Sequence, residues 1–319
     1  MDVKNTIWSE YPKLESSLVK VQKLMKQQVG IKNKEIKSAI FDLFDAGGKM
    51  LRPAYLLMFA DFTAMDNKSK IALAASVEML HTATLIHDDI VDQADTRRGV
   101  ETLSKKYDPS IAVYAGDYLF VAVFKLLSKY SFDLPNLTKN IGSIERLLGG
   151  ELGQLNKHFD FEQTLDDYIQ NISGKTGELF AMSSSIAPLI MQDVHLSELS
   201  YNIGMDIGIA FQIMDDYLDY ASDSQTLGKP VHEDIKQGIF SAPVLFALEI
   251  DPHQVKTLIQ KEEFEEVYSF IQNSGALTKT KELAQYYTNQ ALNLINKLPE
   301  GQTRDNISSV TRKLLERNL

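Results

Sequence analysis

The sequence predicts an all-α fold in a single domain, and three observations carry that prediction. Long stretches rich in Ala, Leu, Met and Ile run without Gly or Pro, the breaks between them are short, and strand-type alternation is hardly visible. The stretch IALAASVEMLHTATLIHDDIVDQ, residues 71–93, reads as one long and largely buried helix. The same reading puts helices at 34–45, 51–62, 110–130, 136–156, 163–187, 196–222, 238–249, 253–272, 277–297 and 302–317. The breaks MDNKSK, FDLPN, TLGKPVHED, DPHQ and LPEGQT carry helix punctuation, and most of the nine prolines lie at or near such ends, where a missing N–H costs little. No repeat period, low-complexity tract or long linker divides the chain. Residues 1–319 are therefore expected to form one domain, with its active groups on facing helices.

A chain of 319 residues that is 44% hydrophobic can bury a large core, which argues against disorder. The formal net charge of -10 argues against a general nucleic-acid binder, because phosphate binding needs a dense basic surface. An anionic ligand would have to be held by a local cluster of cations. With no cysteine, disulfides and thiolate metal sites are excluded, as suits a reducing cytosol. The opening MDVKNTIWSEYPKLE has no basic segment followed by an apolar one, and no apolar run is read as approaching the roughly 20 residues of a membrane helix. A soluble, cytoplasmic protein is expected.

The segment LIHDDIVDQADTRRG, residues 85–99, sets Asp88, Asp89 and Asp92 beside Arg97 and Arg98. Helical residues four apart differ by about 40° in direction, so Asp88 and Asp92 share a face while Asp89 is offset. The segment FQIMDDYLDY repeats the spacing with Asp215, Asp216 and Asp219. Two such helices facing one another would make an all-oxygen pocket, which suits a hard cation such as Mg²⁺ that also bridges to substrate phosphates. A single D-D-x-x-D is equally readable as a solvated acidic face. Here both copies emerge from apolar stretches, where unpaired buried carboxylates would cost several kcal/mol each, so a cation is the favoured partner.

Three stretches supply positive charge: AGGKMLRP with Lys49 and Arg52, TRRG with Arg97 and Arg98, and SGKTGE with Lys175 and Thr176. Arginine forks suit phosphate oxygens and lysine adds a point charge, although each cation taken alone reads equally well as a surface residue. The GKT triplet is not a P-loop. That motif needs a further Gly where this chain has Ile169, and no strand precedes it.

In order, GGKxLRP, H-x-x-x-x-x-H-D-D-x-x-D with R-R-G, K-T, and F-Q-x-x-D-D-x-x-D with L-G-K-P make the chain resemble the trans (E-type) isoprenyl diphosphate synthases, notably their medium- and long-chain polyprenyl members. The resemblance runs from about Gly47 to Pro243. It implies a bundle of antiparallel helices around a deep central cavity, usually dimeric, in which Mg²⁺, commonly three ions, bridges the aspartates to an allylic diphosphate. Matched by position, Asp88, Asp92 and Asp215 are the leading metal ligands, with Asp219, Asp89 and Asp216 in support. Lys49, Arg52, His81 and Arg98 match the isopentenyl diphosphate site, and Arg97, Lys175, Thr176, Gln212 and Lys229 match groups around the allylic substrate.

The chemistry so implied ionises the allylic diphosphate, with Mg²⁺, Arg97 and Lys175 stabilising the charge that develops on the leaving group. The alkene of isopentenyl diphosphate then attacks, and loss of a proton to the released diphosphate restores a trans double bond. No side-chain base is assigned, and His87 beside Asp88 reads as a supporting residue. Ala83 and Thr84 lie about one helical turn, or ~6 Å, below Asp88. Small residues in this layer, where the family's short-chain members carry a bulky aromatic floor, let the product grow toward Leu80, Ser76 and Val77; equally, small residues permit helix packing. The chain departs from the family at Met50, where a second Arg is common, and in the VHED stretch with His232 and Glu233, although Asp234 keeps an acid.

Three assemblies of these parts stay open: a homodimeric polyprenyl synthase, the catalytic subunit of a heteromer, and a shorter-chain farnesyl or geranylgeranyl synthase. A class I terpene cyclase fits least, since its second motif departs from D-D-x-x-D and it needs no isopentenyl site.

Overall fold

The computed structural model describes residues 7–46, 48–130, 142, 145, 146, 149, 158–221 and 233–315. The expected helix 136–156 lies almost wholly outside the described residues, as do Gly47 and Lys229. The described chain is all-α, with a single two-residue-per-strand hairpin. It divides into two compact units, Met1–Ile141 with Ser183–Ser200, and Gly142–Met182 with Tyr201–Leu319.

The first unit opens with a 3-10 turn, Ile7–Glu10, and helix α1, Pro12–Gln28. Helices α2 (Lys34–Asp45), α3 (Leu51–Ala60) and α4 (Asn67–Val91) follow, then the hairpin β1 (Thr96–Arg97) and β2 (Val100–Glu101), α5 (Leu103–Lys106) and α6 (Pro109–Tyr130). Side-chain caps fix several starts: the Asn33 carboxamide oxygen accepts from the amides of Glu35 and Ile36, and Asp66 accepts from Lys68 and Ser69. The Asp66 cap starts α4 four residues ahead of the expected position 71.

Helix α4 is the axis of this unit, packing against α6, α3 and α1. Its Ala72, Leu73, Ala74, Ala75, Val77, Met79, Leu80 and Ala83 are all buried. Small residues let neighbours approach closely, and at Gly116 of α6 an added Cβ would stand 2.5 Å from His87 Nε2 of α4. His87 also stacks on Phe120 at 5.6 Å between ring centroids.

The second unit includes α7 (Leu165–Ile172), a π-helical turn (Ser173–Gly177), the start of α8 (Glu178–Ile190) and most of α9 (Val194–Ala221). The helices α10 (Glu233–Lys236), α11 (Ala242–Ile250), α12 (Pro252–Gln260), α13 (Phe264–Asn273), α14 (Ala276–Ile295) and α15 (Gln302–Leu315) complete it. A capping box between Thr164 and Asp167 starts α7. The core is built on α11, whose Val244, Leu245, Phe246 and Ala247 pack with Ile271, Ala276 and Ala284.

Besides the hairpin, other features depart from the expected elements. Helix α1 is absent from the expectation, although Leu18, Val21 and Met25 are buried at i, i+3, i+7 among lysines, glutamines and serines; the stripe is real but narrow. The expected helix 163–187 is interrupted by the π turn, whose two glycines weaken the α pattern. The expected helix 253–272 divides at Glu262, which is left-handed at φ 59° with neither Gly nor Pro to announce it. Finally, α6 over Pro109–Lys129 is long and apolar enough to cross a membrane, contrary to the expectation of no such run. Its Ala115, Leu119, Val123 and Leu127 are buried in the unit, while Val113, Tyr114, Val121 and Phe124 are exposed.

Gly208 of α9 faces the π turn at a distance only glycine allows: an added Cβ would stand 2.7 Å from the Gly177 Cα, a backbone atom that cannot step aside. Gly208→Ala should therefore overpack the crossing and cost about 1–3 kcal/mol, read as a fall of several degrees in Tm; an unchanged Tm would contradict the contact.

Candidate active site

In the first unit the offset of Asp89 has a structural consequence. Asp88 is half-buried, Asp92 is exposed at the helix cap, and Asp89 is buried. Arg97 donates from both Nε and Nη2 to Asp89 Oδ1 at 2.7 Å. Burial pushes the Asp89 carboxyl up from its ordinary range, and Arg97 acts against that shift. Asp88 and Asp92 stay on the solvent side and share a direction, as the spacing requires.

The two arginines are separated by hairpin geometry. Thr96 pairs with Glu101 and Arg97 with Val100, leaving Arg98 (φ 53°) and Gly99 (φ 79°) as the central residues of a type I′ turn. A left-handed arginine is costly, and such strain gathers at functional sites. Thr102 braces the hairpin by donating to the Ala94 carbonyl at 2.7 Å. Arg97 is thus drawn to Asp89, while the Arg98 guanidinium lies over Gly48, where a Cβ would stand 2.8 Å from its Nη2.

Arg98 thereby joins the segment that carries Lys49 and Arg52. Arg52 Nη1 lies 3.2 Å from His81 Nε2. Arginine can only donate, so His81 Nε2 is the acceptor and the ring is neutral. Burial first, then the nearby Arg52, Arg98 and Arg97, hold the His81 value well below its usual range. One turn before His81 stands Glu78, a buried carboxylate that burial pushes up and that Arg98 and Arg52 draw back. Motif spacing does not find Glu78; a lone acid in the apolar run SVEMLH, three residues from a histidine, is the signal the sequence offers for it. Leu43, Ala46, Thr82, Leu85, Asp89, Arg97 and Arg98 line a small pocket here.

Trp8 belongs to no motif, yet its indole N–H donates to the Lys49 carbonyl at 2.6 Å. Below the aspartates, Ala83, Thr84, Leu80, Val77 and Ser76 are all buried within the unit.

In the second unit the close crossing of Gly208 over Gly177 brings the π turn against α9. Thr176 Oγ1 donates to Gln212 Oε1 at 2.7 Å, and Gln212 Nε2 donates to Asp216 Oδ1 at 2.9 Å. The other Asp216 oxygen accepts from the Tyr168 hydroxyl at 2.7 Å. Burial pushes Asp216 up to about 7 despite these two hydrogen bonds. Asp215 is half-buried and Asp219 exposed, and Lys175 is half-buried on the turn. Tyr168 has no signal in the sequence, since it lies 48 positions from its partner. Glu178, the residue after the turn, is buried and accepts from Arg146 at 2.8 Å and from the Tyr201 hydroxyl at 2.6 Å.

Both aspartate motifs are therefore divided alike: the middle carboxylate is buried and hydrogen-bonded to a protein donor, the first is half-buried and the last is exposed. Among the described residues no three His, Asp or Glu side chains converge on one point. Each outer pair, Asp88 with Asp92 and Asp215 with Asp219, offers oxygen donors alone, which fits a hard cation whose remaining positions are taken by water and phosphate oxygens.

Asp206 of α9 lies outside this set, and partial burial alone pushes it from 3.8 to about 6. A carboxyl raised in the folded state is protonated in both states below pH 4 and has no effect there. As pH rises through 6 the folded state bears the cost of the buried charge, and that stability stays lost above. Asp206→Asn should match the parent near pH 4 and be the more stable of the two at pH 7, measured by denaturant unfolding at both values; parallel pH profiles would contradict this.

The sequence matches the polyprenyl synthetase family over residues 33–274. It is 33% identical over 313 residues to the chloroplastic solanesyl-diphosphate synthase 2 of Oryza sativa subsp. japonica, covering 94% of this chain and 77% of that protein. It is 30% identical over 314 residues to heptaprenyl diphosphate synthase component 2 of Bacillus subtilis (strain 168), covering 96% of this chain and 90% of that one. The crystal structure of geranylgeranyl pyrophosphate synthase from Lactobacillus brevis is similar with a TM-score of 0.93 and 36% identity, over 98% of this chain and 99% of that one. With the family matched over most of its length and these relatives aligned over more than nine-tenths of it, the chain belongs to the polyprenyl synthetase family and is a prenyltransferase.

Proposed function

We infer that this chain is a Mg²⁺-dependent trans-prenyltransferase that condenses isopentenyl diphosphate with an allylic diphosphate, releases diphosphate and makes a medium- or long-chain all-trans polyprenyl diphosphate. The observation that supports this reading is the division of both D-D-x-x-D motifs into a buried, hydrogen-bonded middle acid and two more exposed outer carboxylates. Asp88 and Asp92 on one motif, and Asp215 and Asp219 on the other, are the groups that would hold Mg²⁺, three ions per site by family analogy. Bound there, Mg²⁺ neutralises the charge that develops on the departing diphosphate.

The chain's own residues do the rest. Arg97, held by Asp89, and Lys175, on the π turn, present fixed positive charge to the allylic diphosphate as its C–O bond breaks. Thr176 and Gln212, locked to one another and to Asp216, complete that side, together with Lys229, which lies outside the described residues. Lys49, Arg52 and Arg98 receive the diphosphate of isopentenyl diphosphate, and neutral His81 orients Arg52 rather than adding charge. The new C–C bond takes the alkene electrons, and the proton that is lost leaves with the diphosphate.

The small, buried Ala83 and Thr84 support a longer product, because neither of these positions about one turn before Asp88 carries an aromatic ring, and Leu80 and Val77 lie deeper along the same helix. The names of the solanesyl and heptaprenyl relatives point the same way. A homodimer is the favoured assembly, with α6 exposing Val113, Tyr114, Val121 and Phe124. A heteromer is the second reading, favoured by the word "component" in the name of the Bacillus relative. The cytoplasm is the proposed location, with the cysteine-free sequence in support.

Purified protein incubated with Mg²⁺, isopentenyl diphosphate and allylic diphosphates of increasing length should elongate them, and chelation by EDTA should abolish the reaction. No elongation by the lone protein would overturn the homomeric reading, and a cyclic hydrocarbon in place of a longer diphosphate would overturn the reaction class. Thr84 sits one turn below Asp88 on the same helix face, so Thr84→Tyr should shorten the product, sized by chromatography; an unchanged length would sink the proposed floor.

A further inference from the structure

We propose that Trp8 is a positioning residue of the isopentenyl diphosphate subsite, fixing through its indole N–H the backbone from which Lys49 and Arg52 project. The inference rests on the reading that Lys49, Arg52 and Arg98 receive that substrate.

Trp8 is fully buried in the 3-10 turn Ile7–Glu10, with Tyr11 packed edge-on at 6.3 Å between ring centroids. Its Nε1–H reaches 41 positions along the chain to the Lys49 carbonyl, at 2.6 Å. That carbonyl lies just before the N-cap Met50, outside the helical hydrogen bonds of α3. In a helix it would accept from the amide four residues on, but that residue is Pro53, which has no N–H. The first helical bond of α3 is instead Ala54 N–H to the Met50 carbonyl, at 3.1 Å. A donor-only group held rigidly in the core is a fitting partner for Lys49.

The residue that follows shows why the anchor matters. Met50 is buried and left-handed, at φ 50°, a conformation that costs a non-glycine residue free energy and persists only where its surroundings impose it. The turn at Met50 sends the Lys49 side chain outward while the first turn of α3 carries Arg52 back to His81. Trp8 holds the residue just before that turn. The match to the family begins at residue 33, so this support comes from outside the part of the chain that carries the motifs.

Trp8 is the single tryptophan of the chain, so its fluorescence reports directly on this contact. In the intact wild-type protein, titration with isopentenyl diphosphate alone should change tryptophan emission saturably, whereas an allylic diphosphate with Mg²⁺ should not. An emission indifferent to isopentenyl diphosphate overturns the proposal and needs no variant to be read. Trp8→Phe keeps an aromatic ring and removes the N–H; KM for isopentenyl diphosphate should rise roughly tenfold, with kcat and the allylic KM unchanged. A rise in both KM values together with a lower Tm would mark a merely structural role and overturn the proposal. Lys49→Ala separates the two levels: if it raises the isopentenyl KM while Trp8→Phe does not, the proposal fails and the subsite stands. If Lys49→Ala changes nothing, the subsite reading itself fails.

Discussion

A carboxylate taken out of water needs a donor or a counter-charge, or it gives up its own charge. Each aspartate motif is organised by that demand. Asp89 meets it with the arginine of the hairpin, and Asp216 with a tyrosine and a glutamine. Because the second acid of each motif is turned into the protein, helical geometry turns the first and fifth outward together. The buried acid thus does two things at once: it fixes a cationic or polar group beside the motif, and it fixes which face of the helix carries the outer carboxylates.

The surrounding architecture serves these contacts through places where side chains are missing or backbones strained. Gly208 meets Gly177 so that Thr176 can reach Gln212, and Gly48 leaves room for the Arg98 guanidinium. Arg98 and Met50 hold left-handed conformations on the two segments that meet at this pocket. Such positions are weak points for folding considered alone, and at Met50 and Arg98 the strain falls on the segments that carry Lys49, Arg52 and Arg97.

Helix after helix was legible in the sequence because caps and apolar spacing are local signals, as at Asn33 and at the long run 71–93. What escaped was decided elsewhere. Helix α1 carries a narrow stripe diluted by lysines and glutamines, and the left-handed break at Glu262 has no residue type to announce it. The hairpin at Arg98 escaped because arginine is an unusual first residue of a type I′ turn. In the site, the D-D-x-x-D pairs could be read from spacing, down to the offset of the middle acid. Trp8, Glu78 and Tyr168 could not be assigned, since their meaning lies in partners distant in sequence or on other elements.

The central claim is that outer and middle aspartates do different work, and a Mg²⁺ titration of activity separates them. Asp88→Asn should raise the Mg²⁺ concentration needed for half-maximal rate by at least tenfold. Asp89→Asn, which leaves the outer ligands in place, should keep that concentration close to the wild-type value while raising the allylic KM through the loosened Arg97. Equal shifts in Mg²⁺ requirement for the two variants would contradict the account.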